Sequence, residues 1–140
     1  MCIRDSPNTN VLDFVTIASE GNAVDFGDQI TARRQQGSVN SSTRGIFAGG
    51  YNPGTLNLIE FVTIATTGNA TDFGDLTASR ELAGGASSPT RGVFAGGYTP
   101  SSLNTIDFIE ILTTGNATDF GDLTVASFGM GGISNGHGGL

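Results

Sequence analysis

The sequence repeats itself every 47 residues, and this period constrains the fold more than any other feature. The tripeptide Gly-Asn-Ala begins at Gly21, Gly68 and Gly115, each 47 residues after the last. Residues 57–77 are identical to residues 104–124 at 16 of 21 positions. A fixed period of this length indicates one supersecondary unit per repeat, which buries its apolar surface against neighbouring units. The units run approximately over residues 8–54, 55–101 and 102–140, and we expect the first and the last to be incomplete.

The first six residues, Met1–Ser6, resemble the translation of a transposon-end sequencing adapter. We therefore expect residues 1–6 to be an artefact and exclude them from the fold, as for other processing scars. Residues 7–140 then form one repeat domain, which we interpret as a fragment of a longer protein. Cys2, the sole cysteine, lies in the excluded segment and carries no information about redox chemistry.

The charge balance excludes several classes of partner. The chain has 13 acidic residues and six basic residues, and its formal net charge is −7. Phosphate backbones and anionic membrane surfaces attract basic proteins, so we predict no nucleic-acid partner. No apolar run approaches the ~20 residues of a membrane-spanning helix, so we also predict no membrane insertion.

Neither metal chemistry nor a nucleophilic triad is predicted. His137 is the only histidine, and no second His or neighbouring Cys accompanies it, as zinc sites and triads require. The string Asn69–Asp75 offers oxygen ligands of the kind that calcium takes, but it lacks the ligand spacing of a calcium loop. We interpret Asn69 and Asp72 as turn residues that hydrogen-bond their own backbone. We expect no cofactor, no metal and no catalytic residue.

Each unit reads as four β-strands without a helix, because no segment shows the 3.6-residue periodicity and caps of a helix. A small-residue strand comes first, an apolar strand that ends in glycines second, a long β-branched strand third and a short aromatic strand fourth. In the best preserved copies these strands are residues 82–88, 91–98, 104–112 and 118–123. The predicted fold class is therefore all-β.

The long strand is apolar on both faces. In the middle unit one face carries Ile59, Phe61 and Ala65, and the other carries Leu58, Val62 and Ile64. A strand of an ordinary sandwich alternates between apolar and polar residues, so this pattern predicts a sheet covered on both sides. Stacked propeller blades satisfy this requirement, and a parallel β-helix is the rival fold.

Several repeated positions are expected to be structural. The double glycines Gly49-Gly50 and Gly96-Gly97 precede no helix, so they suit a tight strand exit and close packing rather than phosphate binding. We give the same interpretation to the phenylalanine of the Asp-Phe-Gly-Asp string, which recurs as Phe26, Phe73 and Phe120.

A repeated pair of opposite charges also stands out. Arg44 and Arg91 recur at the start of the glycine strand, and an acidic residue recurs on the long strand as Asp13, Glu60 and Asp107. We predict an ion pair between these groups in each unit, which would fix register more reliably than it adds stability. The alternative is that the two arginines face a binding surface.

The repeat resembles that of kelch propellers. Gly96-Gly97-Tyr98 resembles the family's double glycine, Asn104–Asp107 resembles its third strand, and Phe120 with Leu123 resembles its fourth. Phenylalanine replaces the family's tryptophan, Arg80 lies where the family often has an arginine, and Ser127 replaces that arginine in the last unit. The resemblance implies a fragment of a kelch-like β-propeller with four-stranded antiparallel blades.

The expected function is that of a non-enzymatic scaffold that recognises a protein or a carbohydrate. Loops on rigid scaffolds carry binding, and the loops after the glycine strands offer Tyr51, Asn52, Tyr98 and Thr99. The string Thr-Gly-Asn-Ala-Thr-Asp-Phe-Gly-Asp-Leu is similar to glycine-rich repeats of phage structural and tail genes, which implies a virion or extracellular setting. Two alternatives remain: a secreted kelch-type enzyme that resembles galactose oxidase, and a purely architectural repeat.

Overall fold

The computed structural model describes residues 8–134, and within them the chain forms strands and no helix. The segment 1–6 and His137 lie outside the described residues. The strands are β1 (Thr9–Phe14), β2 (Val24–Arg33), β3 (Gly37–Asn40), β4 (Arg44–Ala48), β5 (Leu58–Thr63), β6 (Thr71–Asp75), β7 (Gly84–Ser87), β8 (Arg91–Ala95), β9 (Tyr98–Thr99), β10 (Ser101–Ser102), β11 (Thr105–Glu110) and β12 (Thr118–Asp122).

These strands form antiparallel sheets that follow the repeat. The first sheet is β1-β2, the middle sheet is β3-β4-β5-β6, and the last sheet is β7-β8-β11-β12. The prediction of an all-β fold is confirmed, and the strand order within the two four-stranded sheets follows the predicted order. The chain after Gly97, expected to be a loop, instead forms a short ribbon of β9 and β10.

The middle sheet is covered on both faces at its third strand. Ile59 and Glu60 point to opposite faces of β5, and both are 0% exposed. Ile64 and Ala65, which the sequence pattern assigned to the faces of this strand, lie beyond its end and are exposed. That part of the prediction is wrong, because the chain turns after Thr63, whose carbonyl accepts a hydrogen bond from the Thr66 amide at 3.2 Å.

The apolar core lies between the middle sheet and the last sheet. Strand β3 contacts both β7 and β8. The buried cluster draws on both sheets and on the residues that follow them: Val39, Ile46, Ala48, Ile59, Phe73, Leu76, Phe94, Ile109 and Ile111. Glycines bring the two sheets close together, since a Cβ on Gly92 would lie 2.7 Å from Cγ2 of Val39. The sheets therefore pack face to face, as apolar sheet faces generally do.

The repeated phenylalanine packs edge-on against a phenylalanine of the preceding strand in every unit. The ring centroids are 6.0 Å apart for Phe14 and Phe26, and 5.9 Å apart for Phe61 and Phe73. The third such pair joins Phe120 to its neighbour on β11. Edge-to-face geometry of this kind is favourable for aromatic rings.

Equivalent hydrogen bonds join each sheet to the next, and we call each such set a joint. At the first joint the Gly68 amide donates to the Phe26 carbonyl at 2.7 Å, and the Asp28 amide donates to Oδ1 of Asn69 at 3.0 Å. The predicted role of Asn69 as a local turn residue is therefore wrong, because its side-chain oxygen accepts from a different repeat unit.

The second joint repeats the first, 47 residues later. The Gly115 amide donates to the Phe73 carbonyl at 2.7 Å, and the Asp75 amide donates to Oδ1 of Asn116 at 3.1 Å. Local turn bonds do occur at other positions of the string, where Oδ1 of Asp119 accepts from the amide two residues later. Sequence identity between units thus preserves contacts between units, not only local turns.

The close approach at the joints requires glycine. Gly74 has a φ of +146°, and a Cβ there would overlap the Gly115 carbonyl oxygen. Gly121 has nearly the same φ, +142°, but nothing lies within 4 Å of its Cβ position. Substitutions at Gly74 and Gly121 therefore distinguish the effect of backbone strain, which both share, from that of steric overlap, which only Gly74 has.

We expect Gly74→Ala to destabilise the fold by about 1–3 kcal/mol more than Gly121→Ala, which is the range for overpacking. Both variants carry the strain of a side chain at positive φ, and only the first also pushes two sheets apart. Urea denaturation, monitored by circular dichroism at a concentration where the chain is monomeric, measures the difference. Equal losses in the two variants would contradict the close joint.

Candidate binding surface

The two loops proposed for binding leave the sheets through the double glycines. Gly49 and Gly50 have φ values of +66° and +105°, and Gly96 and Gly97 have nearly the same values. A Cβ on Gly49 would overlap the Arg80 carbonyl oxygen. Only glycine combines this backbone conformation with such a close approach. The glycines thus fix the direction in which both loops start.

The first loop is tied to the end of the first sheet. Tyr51 exchanges backbone hydrogen bonds with Arg34, at 2.9 Å and 3.4 Å. The Arg34 guanidinium also lies over the Tyr51 ring, 4.7 Å from its centroid. The side-chain amide of Asn52 donates to the Ala32 carbonyl at 2.5 Å. Tyr51 and Asn52 are therefore half-buried and held by residues at the end of the first sheet.

The second loop repeats this arrangement with different side chains. Tyr98 exchanges backbone hydrogen bonds with Glu81, which occupies the repeat position of Arg34. Its ring is 37% exposed and packs edge-on against Phe128, with centroids 5.4 Å apart. The same repeat position thus carries a positive charge beside one tyrosine and a negative charge beside the other.

The structure brings the two loops together. Oγ1 of Thr55 and Oγ1 of Thr99 lie 2.9 Å apart, although the residues are separated by 44 positions in the chain. We define the loop surface as Tyr51, Asn52, Thr55, Tyr98 and Thr99. It presents phenol, amide and hydroxyl groups.

Sequence reasoning missed one member of this surface, Thr55, and two of its neighbours, Arg34 and Phe128. Thr55 escaped because its equivalent in the next unit is a serine, Ser102. Arg34 and Phe128 escaped because they lie far from the tyrosines along the chain and meet the tyrosine rings only after folding. No pattern within a single repeat indicates these contacts.

The buried ion pairs join sheets, and their arginines are not the predicted ones. Arg80 donates from Nη2 to the Asp107 carboxylate at 2.9 Å, and both side chains are 0% exposed. Arg33 and Glu60 form the equivalent pair at 3.3 Å. Burial lowers the pKa of Arg33 below its ordinary value, and the charge of Glu60 opposes that effect.

Each buried arginine also donates hydrogen bonds to backbone carbonyls of the next sheet. Arg80 donates from Nη1 to the Gly96 and Thr105 carbonyls, both at 3.1 Å. The carboxylate of Asp107 accepts in addition from the amide and the hydroxyl of Thr77, at 2.9 Å and 2.6 Å. A buried charge is tolerated when its hydrogen-bonding groups are occupied in this way.

The predicted pairing of Arg44 and Arg91 with the buried acids is wrong. Arg44 lies over the Phe61 ring, 4.3 Å from its centroid, and donates to the Ile111 carbonyl at 2.8 Å. Arg91 pairs instead with Glu110 at 2.6 Å, and both side chains are about half exposed. Both arginines begin a second strand and point to the opposite face from the buried acid, so they cannot reach it.

In the part of the chain that the structure describes, no three His, Cys, Asp or Glu side chains converge as a metal site. Residues 8–134 likewise include no helix long and apolar enough to cross a membrane. No protein-family model matches this chain, and no curated protein matches it.

Proposed function

We propose that this chain is a non-enzymatic repeat scaffold of the kelch-like propeller type, whose loop surface binds a carbohydrate or a protein. The observation that carries the proposal is the pairing of two equivalent loops by the contact between Thr55 and Thr99. Two partly accessible tyrosines lie on those loops, which rest on stacked sheets.

The architecture supports the propeller part of the proposal. Two four-stranded antiparallel sheets follow one another with the same strand order, and their faces stack on a shared core. Propeller blades have four strands and pack between neighbours in this manner. The parallel β-helix is disfavoured, because the pairings within these sheets are antiparallel.

The composition of the loops supports the binding part. The first loop reads Tyr-Asn-Pro-Gly-Thr and the second Tyr-Thr-Pro-Ser-Ser. Tyr, Ser, Gly and Asn are the residues that binding loops favour, since tyrosine gives a large contact area at low entropic cost and the small polar residues give hydrogen bonds. The resemblance to phage structural repeats extends the proposal to a virion or extracellular adhesin.

A glycan array probed with the labelled chain tests the proposal, with an array of extracellular-matrix and cell-surface proteins beside it. We expect Tyr98→Ala to weaken the binding that is found by about tenfold or more, as for an aromatic anchor. Tyr98→Phe retains the ring and should lose less. Thr90→Ala, in the exposed turn before β8, serves as the matched control and should bind normally.

Two outcomes would contradict the proposed function. The first is that a chain whose thermal unfolding is cooperative binds no ligand on either array. That result would favour the architectural repeat. The other is binding that survives Tyr51→Ala and Tyr98→Ala together. Circular dichroism of each variant separates a lost contact from a lost fold, because Tyr98 also packs against Phe128.

A further inference from the structure

One face of the last sheet is open to solvent, although the equivalent face of the middle sheet is covered. Phe73 on the middle sheet is 3% exposed, whereas its equivalent on the last sheet, Phe120, is 59% exposed. A Cβ on Gly74 would overlap the Gly115 carbonyl, whereas a Cβ on its equivalent, Gly121, would have no atom within 4 Å. We call this open region, centred on Phe120 and β12, the C-terminal face. It has the composition of a joint but lacks its partner among residues 8–134.

The first sheet exposes the other half of a joint. Val15 is 57% exposed and Ile17 is 98% exposed. The Val15 position is buried at both existing joints, where Val62 is 9% and Ile109 is 2% exposed. The Ile17 position is buried at the second joint, where Ile111 is 0% exposed, and exposed at the first, where Ile64 is 46% exposed. We call the region formed by Val15, Ile17 and the loop 21–23 the N-terminal face.

The hydrogen-bonding groups of the two faces are also complementary. At both existing joints, glycine and alanine amides of the Gly-Asn-Ala string donate to two carbonyls of the preceding sheet, at 2.7 Å and 2.8 Å. The N-terminal face carries the same string as Gly21–Ala23, and no backbone acceptor for those amides lies among the described residues. The C-terminal face carries the matching carbonyls of Phe120 and Asp122.

We propose that the C-terminal face of one chain binds the N-terminal face of a second copy, so that copies associate head to tail through a third joint. The Gly21 amide of the second copy donates to the Phe120 carbonyl, and its Ala23 amide donates to the Asp122 carbonyl. Such an interface joins two different surfaces, so it generates rings if the rotation closes and open chains if it does not. This inference depends on the joints alone and goes beyond the proposed ligand binding.

The intermolecular joint lacks one feature of the internal joints. The repeat position that holds the buried arginines Arg33 and Arg80 holds a serine, Ser127, in the last unit. The acid that would face Ser127 in the second copy is Asp13, the equivalent of Glu60 and Asp107. Ser127 already has the backbone position of Arg80, since its carbonyl accepts from Gly97 at 2.9 Å as that of Arg80 accepts from Gly50 at 2.8 Å. The intermolecular joint is therefore weaker than the internal ones, and it can be strengthened by design.

The first experiment measures mass against concentration by light scattering and sedimentation. We expect the chain to associate, and we expect Phe120→Asp and Val15→Asp each to remain monomeric when alone. An equimolar mixture of the two variants should form a dimer and nothing larger, because one intact face of each kind remains. Ser42→Asp adds the same charge in the exposed turn between β3 and β4 and should associate like the original chain.

The second experiment adds the missing charge. Ser127→Arg should tighten association by about tenfold, the effect of one good charge-assisted hydrogen bond. The gain should disappear when Asp13→Asn is added, because the arginine then has no carboxylate to meet. Val15→Asp alters a side chain that is 57% exposed, so it tests the proposal even if Phe120→Asp does not fold.

Three results would each overturn the proposal: a chain that stays monomeric up to millimolar concentration, blocked variants that associate like the original, or a mixture that stays monomeric. A dimer formed by either blocked variant alone would indicate a symmetric interface instead. No change on Ser127→Arg would place the contact elsewhere on the molecule.

Discussion

Replacing Asp107 with alanine is expected to destabilise the fold by about 3–5 kcal/mol, the usual cost of leaving a buried charge without its partner. Arg80 then keeps its carbonyl acceptors but loses the carboxylate at 2.9 Å, in a site where both side chains are 0% exposed. The guanidinium cannot turn to solvent without opening the interface between the middle and last sheets. Chemical denaturation monitored by circular dichroism measures the loss.

The chain contains its own control for this prediction. The exposed pair of Arg91 and Glu110 has the same chemistry and a shorter separation, 2.6 Å, yet its side chains are 56% and 47% exposed. Exposed ion pairs contribute about 0–1 kcal/mol, so Glu110→Ala should change the free energy of unfolding little. Equal losses of stability in the two variants would mean that burial does not determine how much the Arg80 pair contributes to the free energy of unfolding.

The second large effect is expected for Phe73→Ala, at about 3–5 kcal/mol. The Phe73 ring is 3% exposed, packs edge-on against Phe61 and belongs to the core between two sheets. Its removal leaves a cavity that rigid strands cannot fill. Thermal and urea unfolding of the variant give the change in stability.

The equivalent substitution on the last sheet provides the comparison. Phe120 has the same sequence context and the same edge-on partner geometry, at 5.9 Å, but it is 59% exposed. We expect Phe120→Ala to cost clearly less than Phe73→Ala in dilute solution. Equal costs would mean that the C-terminal face is buried even in the isolated chain, contrary to the structure.

The strand content of the repeat could be predicted from short segments. Residues 105–110 are rich in β-branched residues and include one phenylalanine, and a Gly-Asn turn signal follows, so local pattern alone indicates a strand and its end. The burial of both faces of β5 followed from apolar residues at odd and even positions alike. The prediction failed at Ile64 and Ala65, because a continuing apolar run does not show where a backbone hydrogen bond turns the chain.

The partners of the charged side chains could not be predicted in this way. Arg33 and Arg44 both recur 47 residues later as arginines. The sequence therefore does not show which of the two pairs with Glu60. Cross-strand register places Arg44 opposite Thr63, on the other face from the acid. Arg33 reaches Glu60 only because the first sheet stacks on the middle one.

The candidate loop surface shows the same division. The glycines and tyrosines that start the two loops were visible as repeated residues, but their association through Thr55 and Thr99 was not. The two loops lie side by side because consecutive units are stacked, and a 47-residue period by itself is compatible with units arranged in other ways.

The 47-residue period and the order of apolar, small and turn-forming residues within it determined by themselves that this chain is built of β-strands in repeated units. Those properties depend on backbone preference and side-chain alternation within a few residues. Tertiary structure alone decided which unit supplies the partner for each buried charge, each Asn side chain and each joint glycine. These contacts cross between sheets, so they depend on how the units stack, and that arrangement is not encoded in any single copy of the repeat.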